Sequence, residues 1–214
     1  MSPLVAIDGP AGSGKSTIAA ALASRLGLER LDTGAMYRAV TLLVLRTGTV
    51  PFDEGLAVEL ARTMTLDPGT PTLLNGEDVT EAIRTAEVDR AVSVVAAHPG
   101  VRHELVRRQR EWAEEHGGGV VEGRDIGSVV FPEADVKVFL TADPAVRARR
   151  RVSQRAGLGE WDKPESVELD DLVRRDSHDS SRASSPLTVP EGAVVIDSSE
   201  LSVDEVVDEV LRQL

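Results

Sequence analysis

Leu4-Val5-Ala6-Ile7-Asp8-Gly9-Pro10-Ala11-Gly12-Ser13-Gly14-Lys15-Ser16 is the stretch on which the reading of the whole chain turns. Leu4 to Ile7 is a short continuous apolar run closed by Asp8-Gly9-Pro10, the pattern of a buried parallel strand that ends in a loop. From Lys15 to Leu26 the alanine and leucine content, with Ile18, Leu22 and Leu26 at helical spacing, predicts a helix that Gly27 stops. Between them, Gly9 to Ser16 fits G-x-x-x-x-G-K-[ST] without mismatch. Glycines let successive backbone N–H groups curl around phosphate oxygens, and the following helix adds the positive end of its dipole. Gly9, Pro10, Ala11, Gly12, Ser13, Gly14, Lys15, Ser16 and Thr17 are therefore the candidate contacts to a nucleoside triphosphate. Lys15 is placed to reach the β and γ phosphates and Ser16 to bind Mg²⁺. The loop does not name a reaction, because ATPases, GTPases and small-molecule kinases share it.

Working outward, a second short strand is expected at Glu29 to Leu31 and a helix running through Met36 and Val40 to about Arg46. Further helices are expected at Glu54 to Met64 and in two stretches from Glu87 onward that divide near Pro99-Gly100. Asn75-Gly76, flanked by the apolar Leu73-Leu74 and Val79, is a hairpin signal inside helical surroundings and reads as an insertion. Gly118 to Val121, Val136 to Leu140 and Ala193 to Ile196 read as buried strands. Asp143-Pro144 and Ser202-Val203-Asp204-Glu205 are helix starts. The alternation predicts an α/β fold, a parallel sheet flanked by helices.

The 214 residues include 36 acidic and 24 basic side chains, a net charge of -12. That balance argues against a nucleic-acid polymer as partner. No cysteine occurs, which excludes disulfides and thiolate chemistry. The opening residues lack a charged leader segment, and no apolar run approaches the roughly 20 residues a membrane helix needs, so a cytoplasmic protein with no membrane partner is expected. His98, His103, His116 and His178 share no metal-ligand spacing and read as surface side chains. Asp8 could orient the phosphate loop or a metal-bound water, and the residues alone do not choose.

A second phosphate-bearing substrate would need its own cations. Three clusters offer them: Asp32-Thr33-Gly34-Ala35-Met36-Tyr37-Arg38, Glu122-Gly123-Arg124-Asp125-Ile126-Gly127, and Arg175-Asp176 through Asp179-Ser180-Ser181-Arg182. Together with the opening loop, and with Glu77 to Thr80, Ile83-Arg84-Thr85, Val94 to Arg102 and Arg107 to Arg110 in their order, these segments resemble the bacterial cytidylate kinases over nearly the whole chain.

The resemblance implies a P-loop nucleoside-monophosphate kinase fold with a core at about 1–34 and 117–214, a monophosphate-binding region at about 35–116 containing the small β-hairpin, and a lid at about 150–165. It implies an ATP- and Mg²⁺-dependent kinase that phosphorylates CMP and dCMP, acting as a monomer. Lys15, Arg38, Arg124 and Arg182 would serve transfer, the three arginines holding the acceptor phosphate and the transferring group. Asp179 would accept from the ribose hydroxyls. Asp125 and Arg102, aided by Thr33 and Ser93, would read the base, since a carboxylate accepts from the cytosine amino group whereas uracil presents an oxygen there. One or two of Arg147, Arg149, Arg150 and Arg151 would reach the ATP phosphates from the lid, and closure would order residues 147–164. Alternatives are an adenylate, thymidylate or shikimate kinase, a GTP-binding switch, or a silent nucleotide-binding module. The switch is disfavoured because no Asn-Lys-x-Asp occurs.

Overall fold

The computed structural model describes residues 2–48, 53–156, 164–180 and 187–214, with the side chains of residues 155, 175 and 178–180 outside that description. In chain order the first elements are β1 (Leu4–Asp8), α1 (Lys15–Leu26), β2 (Arg30–Asp32), α2 (Thr33–Arg46), α3 (Glu54–Thr63), β3 (Leu66–Asp67), β4 (Leu73–Leu74), β5 (Glu77–Asp78), α4 (Ala86–Val95) and α5 (Pro99–His116). They are followed by β6 (Gly119–Gly123), a π-helical turn at Ile126–Val130, β7 (Val136–Thr141), α6 (Pro144–Ala156), α7 (Glu165–Ser180), β8 (Val194–Asp197) and α8 (Val203–Leu211). Packing divides the chain into two units, Met1–Arg30 with His116–Leu214, and Leu31–Glu115.

The five-stranded sheet runs β2-β6-β1-β7-β8. β1 lies parallel to both β6 and β7, and β7 to β8. Val5, Ala6 and Ile7 are fully buried because helices cover both faces of a central parallel strand. On one face Ile18 and Leu22 of α1 and Val206 and Val210 of α8 pack with Val5, Ile7, Val138 and Leu140. The register pairs Asp8 with Gly123, so β1 and β6 end side by side, while β7 runs two residues past Phe139, its partner to Asp8, as far as Thr141. Everything that follows Asp8 and Gly123 in sequence therefore emerges at the same edge, where open parallel sheets bind ligands.

The second unit packs α2 against α3 and α4 beside the three-stranded sheet β3-β4-β5. Asn75 and Gly76 both adopt positive φ, 52° and 82°, as a two-residue hairpin turn requires. Asn75 also binds Thr65 through its backbone N–H (2.8 Å) and its side-chain oxygen (2.9 Å), which recruits β3. That third strand is too short to carry a periodic signal and was not expected from sequence. α2 begins at Thr33, ahead of the expected start, because the Asp32 carboxylate accepts from the Ala35 N–H at 3.1 Å. The capping box expected at Ser202 and Glu205 is present.

Leu22 is fully buried between α1 and the sheet. Leu22→Ala should cost about 3 kcal/mol through lost transfer energy and a residual cavity. Urea unfolding should show a lower midpoint at unchanged slope.

Candidate active site

The phosphate loop is built by close approach. Gly12 and Gly14 take φ of 76° and 95°, and a Cβ on Gly12 would lie 2.9 Å from the Arg147 carbonyl oxygen. A Cβ on Gly9 would lie 2.0 Å from the Leu140 oxygen, so only glycine lets the loop leave β1 against the end of β7. The outward carbonyls are held by side chains. Arg124 Nη1 donates to Gly9 O (2.5 Å), Lys15 Nζ to Pro10 O (2.8 Å), Arg147 Nη1 to Ala11 O (3.2 Å), and Ser198 Oγ to Ser13 O (3.0 Å). Arg150 reaches Ser13 O at 3.5 Å while also binding the hydroxyl and carbonyl of Ser198.

At the start of α1, Ser16 Oγ donates to Glu122 Oε2 at 2.7 Å, and Arg30 Nη1 reaches the other oxygen of that buried carboxylate at 3.0 Å. Asp8, at the end of β1, is 1% exposed. Its two oxygens accept from the N–H groups of Ile126 and Gly127, each at 2.7 Å. Burial pushes the Asp8 carboxyl up from 3.8 to about 6, against the pull of those two N–H groups; the charge on Asp125 adds to the rise and Lys15 opposes it.

In the second unit, Arg38 pairs with Asp89 at 2.5 Å and donates to Ile83 O at 3.2 Å. Arg102 is 5% exposed, donates to Ala96 O at 3.4 Å and lies 5.5 Å from the centre of the Tyr37 ring. Thr33 is buried at the first turn of α2, and Ser93 is half-buried on α4.

Residues 5–214 match the family model described as cytidylate kinase. The chain belongs to the cytidylate kinase family. It is 50% identical over 205 residues to the cytidylate kinase of Mycobacterium leprae, covering 95% of this chain and 92% of that one. To the cytidylate kinase of Caldanaerobacter subterraneus it is 51% identical over 213 residues, covering 98% and 93%. Among solved structures it resembles a shikimate kinase from Bacteroides thetaiotaomicron with a TM-score of 0.53 at 16% identity over 99% of each chain, a likeness of fold alone. Cytidylate kinases are phosphotransferases of the nucleoside-monophosphate kinase type, and the parallel sheet with its glycine loop is the P-loop kinase fold expected from sequence.

Against the expected cytidylate kinase site, Lys15, Ser16, Arg124 and Asp125 gather at one edge of the first unit, while Thr33, Arg38, Ser93 and Arg102 belong to the second. Asp179 is in α7 with its side chain undescribed, and Arg182 lies outside the described residues, as do residues 157–163 of the expected lid.

The arginines of α6, expected to serve the lid, are held as follows. Arg147 is buried and bound to Ala142 O, Ala11 O and Asp176; Arg151 is bound to Glu168; Arg149 lies 3.8 Å from Glu165. α6 packs on α7. His98 departs from the surface reading, because its Nε2 is buried without a partner among the described residues. Glu122, in the Glu122 to Gly127 cluster, carries no assigned role in sequence, and its one signal is an acid at the end of a buried valine strand. Asp8, open in sequence between orienting the phosphate loop and orienting a metal-bound water, binds the N–H groups of Ile126 and Gly127.

Among the described residues no cluster of three acidic, histidine or cysteine side chains stands ready for a metal ion. An ion held by one hydroxyl, one carboxylate and nucleotide phosphates does not need one, and the hard oxygen pair of Ser16 and Glu122 fits Mg²⁺.

Gly12→Ala should lower ATP affinity at least about tenfold, since Cβ meets backbone and the φ is unfavourable. Calorimetric titration measures it, with far-UV circular dichroism unchanged. A second expectation concerns pH. The folded Asp8 carboxyl protonates near pH 6 and an unfolded one near 3.8, so the folded chain binds the extra proton between those values. Stability of the natural chain relative to Asp8→Asn should therefore rise as pH falls from 7 to 4, by up to about 3 kcal/mol, in paired urea unfolding series.

Proposed function

We propose that the chain transfers the γ-phosphoryl group of ATP to the phosphate of CMP and of dCMP, in line and with Mg²⁺, giving CDP or dCDP. The observation that carries this reading is the arginine of the Glu122-Gly123-Arg124-Asp125 segment bonded to the first carbonyl of the phosphate loop. One cation thereby stands beside the loop that would hold the donor, on the segment that this reading gives to the acceptor. Transfer between two anions needs alignment and charge neutralisation more than a general base.

In this reading the backbone N–H groups of the Gly9 to Thr17 loop, other than at Pro10, hold the donor phosphates. Ser13 Oγ, buried and without a partner among the described residues, is a donor that a phosphate oxygen would satisfy. Lys15 exchanges the Pro10 carbonyl for the β and γ oxygens. Ser16 and Glu122 would hold Mg²⁺, which when bound neutralises charge on the phosphate oxygens. Arg38, Arg124 and Arg182 neutralise the acceptor phosphate and the group in flight, Asp179 accepts from the ribose, and Asp125 with Arg102, Thr33 and Ser93 reads cytosine. A core at about 1–34 and 117–214, a monophosphate-binding region at about 35–116 and a lid at about 150–165 belong to the same reading, as does a monomer in solution. Among the described residues no helix is long and apolar enough to cross a membrane.

A coupled assay of ADP release with ATP, Mg²⁺ and a panel of CMP, dCMP, UMP, AMP, dTMP and shikimate tests the proposal. CMP and dCMP should lead UMP by at least about a hundredfold in kcat/KM, because the wrong base leaves Asp125 facing an acceptor. Activity confined to another acceptor would overturn the named substrate. Lys15→Met should lower kcat by about a hundredfold or more, since it removes charge stabilisation in the transition state.

A further inference from the structure

Asp8 is a carboxylate buried at a cost, and its place in the fold suggests what the cost secures. The turn at Ile126–Val130 takes no side-chain cap from Asp125, the residue that precedes it, and its first two N–H groups are bound instead by an acid from a neighbouring strand. The carboxylate occupies the start of the π-helical turn, where N–H groups point outward unsatisfied. Directly after Asp8 comes Gly9, whose carbonyl accepts from Arg124; directly before Ile126 comes Asp125. The chain therefore closes a ring: Asp8 to Gly9 by covalent bond, Gly9 to Arg124 by hydrogen bond, Arg124 through Asp125 to Ile126 by covalent bonds, and Ile126 with Gly127 back to Asp8 by two hydrogen bonds.

We propose that Asp8 is a positioning residue for phosphoryl transfer, fixing the Arg124-Asp125 segment at a set distance from the phosphate loop through its paired bonds to Ile126 and Gly127. This rests on the reading of Arg124 and Asp125 as acceptor-binding residues. Two parallel bonds from one planar carboxylate define an orientation as well as a distance, which a single bond would not. Both segments leave the sheet from paired strand ends, Asp8 opposite Gly123, so without the ring only the loops themselves would hold Arg124 to the donor site. A shift on the order of 1 Å in such a constellation costs about a hundredfold in rate.

The test is Asp8→Asn, which keeps the shape but offers one acceptor oxygen and turns an amide N–H toward the second donor. Because it removes a buried charge, it should fold. Should it not, Asp8→Ser, which retains one acceptor and also buries no charge, serves for the same measurements. The expected result is a fall in kcat with CMP of at least about tenfold, a narrowing of the CMP:UMP ratio of kcat/KM by a similar factor, and a Kd for ATP within about threefold of the natural chain, since the phosphate loop N–H groups are untouched. Leu22→Ala, destabilised in the same unit but remote from the ring, should keep both kcat and the base ratio at temperatures where it remains folded. If the natural chain phosphorylates CMP while the folded Asp8 variant keeps its kcat and its CMP:UMP ratio, Asp8 is a structural cap and the inference fails. If kcat falls in Leu22→Ala as much as in the Asp8 variant, loss of stability accounts for the effect and the inference fails too. A natural chain inactive on CMP would instead sink the functional reading beneath it.

Discussion

A peptide unit points its N–H and its C=O in opposite directions, and the phosphate loop of this chain depends on that geometry. The carbonyls of Gly9, Pro10, Ala11 and Ser13 are each bound by a cation or a hydroxyl: Arg124, Lys15, Arg147, and Ser198 with Arg150. With the oxygens of Pro10, Ala11 and Ser13 tied down, the N–H groups of the same units, those of Ala11, Gly12 and Gly14, are turned to the other side, where an anion can collect them; the Gly9 carbonyl shares its unit with Pro10, which has no N–H. Glycine at positions 9 and 12 is the complement of this arrangement, since the backbone is pressed against Leu140 and Arg147 so closely that no Cβ fits. The sheet supplies the rest by ending β1 and β6 side by side, with β7 running only two residues further, so that the side chains reaching the loop come from stretches past strand ends.

The arginines of α6 acquire their meaning from that requirement. A buried guanidinium is expensive unless its donors are satisfied, and Arg147 is satisfied by Ala142 O, Ala11 O and the Asp176 carboxylate on α7. Arg151 with Glu168 makes a second bridge between the same two helices. Movement of α7 relative to α6 would therefore pull on a group that also holds the phosphate loop. Arg150 is anchored to the segment after β8 through Ser198, tying the loop to the last strand as well.

How much of this could be read in the sequence depends on the range of the interaction. Local signals carried far: the glycine pattern with its flanking strand and helix, the Asn75-Gly76 turn and the Ser202 capping box all describe neighbours within a few residues, and each element stands where it was expected. The order of the motifs also placed the chain in its family. Lost were the features made by residues distant in sequence. β3 exists because Asn75 binds Thr65, ten residues away. The inward face of α6 exists because α7 lies against it, and an arginine run alone is indistinguishable from a solvated face. Asp8 and Glu122 each meet partners more than a hundred residues away, so no local signal marks those contacts.

An acidic chain that handles polyanionic nucleotides poses an electrostatic question with a local answer. The net charge of -12 acts over the whole surface and is screened within about a Debye length, roughly 8 Å at physiological ionic strength. Individual arginines, by contrast, are matched one by one within each unit: Arg38 with Asp89 in the second, Arg30 with Glu122 and Arg147 with Asp176 in the first. Pairing keeps partly buried guanidinium groups from standing uncompensated and fixes their rotamers before a ligand arrives. Under the proposed function, a phosphate meeting Arg38 would compete with the Asp89 carboxylate already in place, so that binding would exchange one anionic partner for another and gain less than a bare charge would. Such a site gives up ground-state affinity and keeps orientation, and interactions that strengthen only as charge develops in the transition state are the ones that raise the rate.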